Sequence, residues 1–203
     1  MINQLKIANI FLTIFLINLN VAQAQTAESQ ITNSKYYTTN AISSSEAPLI
    51  DGKHNETIWN AVQWDGQFTQ REPNEGEKPT EATDFKILYD DKNLYVALKC
   101  LDKEPSKIEK RLSRRDGFEG DWVEINIDSY HDLQTAFSFT VTAAGVKGDE
   151  LISRDGNNWD SSWNPIWYVK TSSDEKGWYA EMKIPLSQLR FGKDTEQTWG
   201  LQV

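Results

Sequence analysis

The chain has a single cysteine in 203 residues, so no internal disulfide can staple it. Cys100 lies in "NLYVALKC" on the side of Leu94, Val96 and Leu98. That is the position of a small buried core residue rather than of a reactive thiol. There are two histidines. His54 in "DGKHNE" and His131 in "SYHDLQ" both fall in polar stretches and are expected to be solvated turn residues. Neither stands near the cysteine in sequence, which leaves little for a nucleophile–base pair. The sequence also lacks G-x-S-x-G, H-E-x-x-H and a phosphate loop. Positive charge is scarce: 21 Lys and Arg stand against 30 Asp and Glu, a net charge of −9. The one basic cluster, Lys110, Arg111, Arg114 and Arg115, has acids on both sides. Nucleic acid is excluded as a partner, because phosphates demand grouped Lys and Arg.

Long apolar runs are missing everywhere except at the start. Residues 1–24 have the pattern of a secretory signal: Lys6, then "IANIFLTIFLINLNV", then Ala22-Gln23-Ala24 before Gln25. Asn9, Asn18 and Asn20 interrupt the apolar run, which is short for a membrane span. The expected location is therefore across the inner membrane of a bacterial envelope, in the periplasm or at the outer membrane and cell surface. Residues 25–46 are rich in Ser, Thr, Asn and Ala and read as a linker, with an edge strand expected at Lys35 to Ala41. A globular domain is expected over 47–203.

Helical periodicity is nearly absent from that domain. Short turns of helix are expected at Ser106 to Leu112 and Leu186 to Leu189. Alternating runs recur instead, separated by turn signals. Phe85, Ile87 and Tyr89 alternate, then "DDKN" turns the chain into Leu94 to Leu101. "WVEINID", "AFSFTVT", Pro165 to Lys170, Gly177 to Ile184 and "TWGLQV" follow. Trp59, Trp178 and Trp199 are expected as core anchors, and Trp199, Leu201 and Val203 as inward-facing. The pattern predicts an all-β fold: an antiparallel two-sheet β-sandwich, jelly-roll or immunoglobulin-like, with short helical turns. The chain stops at Val203 inside a strand-like run, as expected of a piece of a longer protein.

The stretch "GFEGDWVEINID" concentrates the polar chemistry. Val123, Ile125 and Ile127 point one way; Trp122, Glu124, Asn126 and Asp128 point the other. Glycoside hydrolysis needs two carboxyl groups about 5–5.5 Å or roughly 6.5–9.5 Å apart. Glu124 and Asp128 are four residues apart, about 13 Å on a strand. No catalytic residue emerges from this spacing. A flat polar ligand suits the face better, because a sugar ring offers an apolar C–H face to an aromatic and polar edges to acids and amides. Phe118 and Trp122 are the stacking candidates, Glu124 and Asn126 the hydrogen-bonding ones. Trp159, Trp163 and Trp167 in "NNWDSSWNPIW" add aromatic surface nearby in sequence. On the next strand Ala136, Ser138, Thr140 and Thr142 are small, so the face reads as a shallow trough. Acids at loop ends, Asp121 among them, make a structural calcium ion plausible.

Four blocks in order, "LIDGKHNETIWNAVQW", "ILYDDKNLYVALKCLDKEPSKI", "GDWVEINID" and "GWYAEMKIPLSQLRF", resemble a family 9 carbohydrate-binding module. "RRDGFEGDWVEINIDSY" and "KIPLSQLRFGKDTEQTWG" resemble more narrowly the N-terminal domain of large Gram-negative envelope proteins, which continue into a barrel-like region. The resemblance implies a β-sandwich that holds sugars between aromatics and binds structural calcium. By it the first aromatic falls on Phe118, the hydrogen-bonding acid on Glu124 and a preceding acid on Asp121. The family's sugar-binding arginine falls on Thr140, and its second aromatic lies beyond "WGLQV". The expected partners are poly- or oligosaccharide and the protein's own C-terminal region. The expected role is polysaccharide binding or catabolism, within a parent that could itself be a glycosyl hydrolase. The alternative is an assembly module of an outer-membrane protein with no sugar affinity.

Overall fold

A computed structural model of the chain describes residues 36–203. The signal sequence expected over 1–24 and the start of the linker lie outside the described residues. A compact unit spans Thr39–Val203. It begins before Ala47 because the end of the expected linker is used: β1, Asn40–Ala41, pairs in parallel with β2, Thr83–Tyr89. The edge strand expected at Lys35 to Ala41 is thus realised over two residues.

Two five-stranded sheets form the sandwich. The first has the order β1, β2, β3 (Asn93–Leu101), β9 (Gly177–Pro185), β8 (Tyr168–Asp174). The second has the order β10 (Gly200–Gln202), β4 (Trp122–Asp128), β5 (Ala136–Thr142), β6 (Lys147–Ser153), β7 (Asn158–Asp160). Every pairing except β1 with β2 is antiparallel. The helical turns are short 3-10 pieces, Pro105–Lys107 and Leu186–Gln188 where expected, and Ser44–Glu46 and Thr57–Ala61 besides.

The alternation read from sequence sets the inner faces. Val123, Ile125 and Ile127 pair with Val141, Phe139 and Phe137, and all six are buried. Leu94, Val96, Leu98 and Cys100 pair with Ile184, Met182, Ala180 and Trp178, equally buried. The β2–β3 hairpin is held by its turn. Asp90 Oδ1 accepts from the Lys92 and Asn93 amides at 2.8 and 2.6 Å, and Tyr95 donates to Asp90 Oδ2 at 2.9 Å.

Several expectations need correction. β6 and β7 were not expected: "KGDELIS" is too polar to announce a strand, yet both its faces are used. The strand expected at Pro165 to Lys170 forms at Tyr168–Asp174, with Trp167 before it buried in the core. Trp199 is half-buried against Phe191, with ring centroids 5.4 Å apart, and is no core anchor. Leu201 shares the inner face with Ile127 but is 39% exposed, because β10 is a short edge strand.

The outer face of the first sheet is not wet. Residues from Ile42 to Trp64 lie over it, and Trp59, Val62, Leu88, Tyr95 and Ala97 form a second apolar cluster there. Gly52 permits the close approach. Its φ is +86°, and a Cβ there would come within 2.7 Å of the Thr171 carbonyl carbon. His54 is half-buried in this layer, not solvated: its ring lies 5.3 Å from Trp64 and 5.7 Å from Tyr179, and Nε2 is 3.0 Å from Ala180 O. Burial there holds the imidazole pKa below its ordinary value.

Candidate functional site

The outer face of the second sheet carries most of the residues expected to form a ligand platform. Register places them in rows. Trp122 pairs with Thr142. Glu124, Thr140 and Gly148 form the next row, and Gln202, Asn126, Ser138 and Glu150 the one after. Ala136, Ile152 and Trp159 form the last.

Phe118 reaches this face from the loop before β4. Its ring lies against Gly148, where a Cβ would come within 2.3 Å of Phe118 Cε1. It is 5.9 Å from the Trp122 ring. Both aromatics are exposed, at 39% and 50%. Trp159 is also exposed, at 44%, and its Nε1 donates to Gly156 O at 2.9 Å. Its row lies four residues along β6 from Gly148, about 13 Å at the usual rise. The aromatics therefore bracket the trough from its two ends.

The floor between them is polar and shielded. Glu124 accepts from Asn126 Nδ2 at 2.6 Å and Thr140 Oγ1 at 3.0 Å. Asn126 and Ser138 are buried, at 5% and 0% exposure. Asn126 Oδ1 and Ser138 Oγ have no hydrogen-bond partner. Buried polar atoms are paired as a rule, so two neighbouring unpartnered atoms distinguish this part of the face. Half-buried Glu150 closes the row. Burial raises its pKa first, and the charges of Glu124, Asp116 and Asp149 raise it further.

Two expected site residues are placed elsewhere. Trp163 packs on Phe137 and Phe139, at 5.1 and 5.6 Å, on the inner side of the sheet. Trp167 is buried there too, donating from Nε1 to Asp149 Oδ2 at 3.0 Å. Their spacing in "WDSSWNPIW" does not continue the face of Trp159, because the chain leaves β7 and crosses to the other sheet. Asp121 works within its loop: its Oδ2 accepts from the Glu109 amide at 2.7 Å, and its carbonyl accepts from the Ala143 amide at 2.7 Å. Among the described residues no group of three or more His, Cys, Asp or Glu converges on one point. Asp121 by itself does not fit the six to eight oxygens calcium takes.

Glu150 and Gly148 were not expected on this face; register brings them there, Glu150 opposite Ser138 and Gly148 opposite Thr140. The signal that could have found them is the alternation Gly148, Glu150, Ile152 against Asp149, Leu151 within "KGDELIS".

The second sheet of the sandwich thus carries exposed aromatics and half-buried acids together on one outer face. Residues 50–203 match the family described as carbohydrate family 9 binding domain-like. The chain belongs to that family. Two solved structures share its fold. A family 9 carbohydrate-binding module from Caldicellulosiruptor kristjanssonii in complex with glucose is 23% identical, with TM-score 0.55 over 81% of this chain and 75% of that one. The complex of such a module from the same organism with cellotriose is 20% identical, with TM-score 0.54 over 80% and 72%. No curated protein sequence matches the chain.

Proposed function

We propose that this domain binds saccharide on the outer face of β4, β5 and β6. Phe118 and Trp122 stack on a ring, Glu124 and Asn126 accept from its hydroxyls, and Trp159 supports a further unit of an oligosaccharide. The observation that carries this reading is the exposed aromatic pair, Phe118 and Trp122, on the same face as the half-buried carboxylate of Glu124. A sugar offers both parts of the match, an apolar C–H face for the rings and hydroxyl donors for the carboxylate. Family membership and the glucose and cellotriose found in the two structural neighbours support the ligand class. No reacting group is part of the proposal; the face holds, and chemistry belongs to other parts of a parent protein. That parent is proposed to be a secreted envelope protein of polysaccharide binding or breakdown, from the signal-like residues 1–24.

Calorimetric titration of the full chain with glucose, cello-oligosaccharides and other oligosaccharides tests the reading. Binding at or below millimolar concentration, weakened by Phe118→Ala and by Glu124→Gln, is the expected result. Hydrogen bonds to a charged acceptor contribute about 1.5–3 kcal/mol against roughly 1 for neutral ones, so the glutamine variant weakens binding without abolishing it. Absence of binding to every sugar tried would sink the proposal.

A further inference from the structure

The trough is more acidic than a neutral sugar requires. Glu124 and Glu150 face it from adjacent rows, on strands either side of β5. Two neighbouring cations, Arg115 and Lys147, turn the other way. Arg115 Nη2 donates to Asp149 Oδ2 at 2.6 Å and to Pro165 O at 3.0 Å. Asp149 pairs with Phe139 and so lies on the inner side. Lys147 pairs with Val141, also on the inner side, and its Nζ donates to Trp167 O at 3.0 Å. Neither neutralises the outer face.

Of the floor's donors only the Ser138 hydroxyl is uncommitted. Asn126 Nδ2 and Thr140 Oγ1 both point at Glu124. What remains besides is acceptor capacity: the free lone pairs of Glu124, the Glu150 carboxylate and the orphaned Asn126 Oδ1. Phe118 and Trp122 border this set, and aromatic faces attract cations. An ammonium group brings three donors and no acceptor, together with a positive charge. A hydroxyl brings one donor and no charge, so it leaves the two carboxylates repelling each other.

We propose that the platform selects a saccharide bearing a protonated amine, such as a glucosamine unit. Its ring lies on Phe118 and Trp122, and its ammonium sits between Glu124 and Glu150 against Asn126 Oδ1. Glu150 is the residue that sets this preference. The inference rests on the saccharide-binding reading and narrows it. Burial raises the Glu150 pKa first and the charges of Glu124, Asp116 and Asp149 add to it; a bound cation opposes the second of these.

The test compares three trisaccharides by calorimetry on the full chain at about pH 6.5, where an alkyl amine is mostly protonated. They are a β-1,4-linked glucosamine trimer, its N-acetylated counterpart and cellotriose. The glucosamine trimer is expected to bind at least about tenfold more tightly than cellotriose at low salt, and the advantage should shrink in high salt as the charges are screened. The N-acetylated trimer has the same ring and no charge, and should show no such advantage. Glu150→Gln should bring the glucosamine-to-cellotriose ratio close to one. Glu175→Gln, an equal charge change on the exposed β8–β9 turn, should leave the ratio as it is. Cellotriose binding as tightly as the glucosamine trimer overturns this inference and leaves saccharide binding standing. A ratio unchanged in a folded Glu150→Gln variant overturns it too. No binding of any trimer overturns both readings. Should Glu150→Gln fail to fold, the wild-type ratio and its salt dependence decide.

Discussion

The outer faces of the two sheets are built from similar sequence and end in opposite states. On the first sheet, Tyr95, Ala97 and Glu181 alternate with core residues; on the second, Trp122, Glu124 and Asn126 do the same. The first face buries an acid, the second an amide and a hydroxyl. Glu181 is fully buried, and the segment over it supplies its partners: the Asp51 and Gly52 amides to Oε2 at 3.0 and 2.9 Å, and Trp59 Nε1 to Oε1 at 3.0 Å. Among the described residues no segment supplies partners to Asn126 Oδ1 and Ser138 Oγ. A polar strand face is structural when the chain returns to satisfy it, and is available to a ligand when the chain does not.

Breaking the covered side should cost the most. Trp59→Ala removes a ring that is 1% exposed, leaves Glu181 Oε1 unpaired, and is expected to lose about 3–5 kcal/mol in denaturant unfolding. A loss under about 1 kcal/mol would mean that the cover contributes little to stability.

The same side should show an unusual pH dependence. Burial pushes the Glu181 carboxyl from 4.5 to about 7, outweighing the three hydrogen bonds and with a smaller push from Glu56. Between these values the unfolded chain loses a proton that the folded one keeps. The contribution is therefore full below about pH 4.5, falls as pH rises toward about 7, and is level above. Subtracting the curve of Glu181→Gln from wild type isolates this slope. A difference that rises with pH over that window would reverse the assignment.

On the open side the same size of change should spare stability and strike binding. Phe118→Ala is expected to weaken saccharide binding about tenfold, or about 1.4 kcal/mol, while unfolding shifts by less than about 1 kcal/mol. A variant that binds like wild type and melts many degrees lower would make Phe118 a core residue. Gly148→Ala sharpens the comparison, because its methyl displaces the Phe118 ring. A few-fold loss of affinity with an unchanged melt is expected, and unchanged affinity would detach Phe118 from the site. The smallest effect is expected from calcium. A structural calcium ion would raise the melting temperature by a few degrees in calcium over chelator, and equal melting temperatures would count against one.

The sequence by itself determined the sandwich and the parity of its central strands. Alternation in "WVEINID" and "AFSFTVT" places Val123, Ile125, Phe137 and Phe139 inside because a strand has two faces and one must be dry. It also put Trp122, Glu124 and Asn126 on one face together. What tertiary structure decided is what lies across from and above those residues. Register brought Glu150 beside Asn126 and Ser138, and a strand too polar to announce itself carried it there. Crossing of the chain after β7 took Trp163 and Trp167 to the inner side although Trp159, close by in sequence, stayed outside. The folding back of Ile42 to Trp64 made one polar face a second core and left the other open. Alternation is local and reports only that a strand has two sides. Which side is covered depends on segments far away in the chain, and no local pattern contains that.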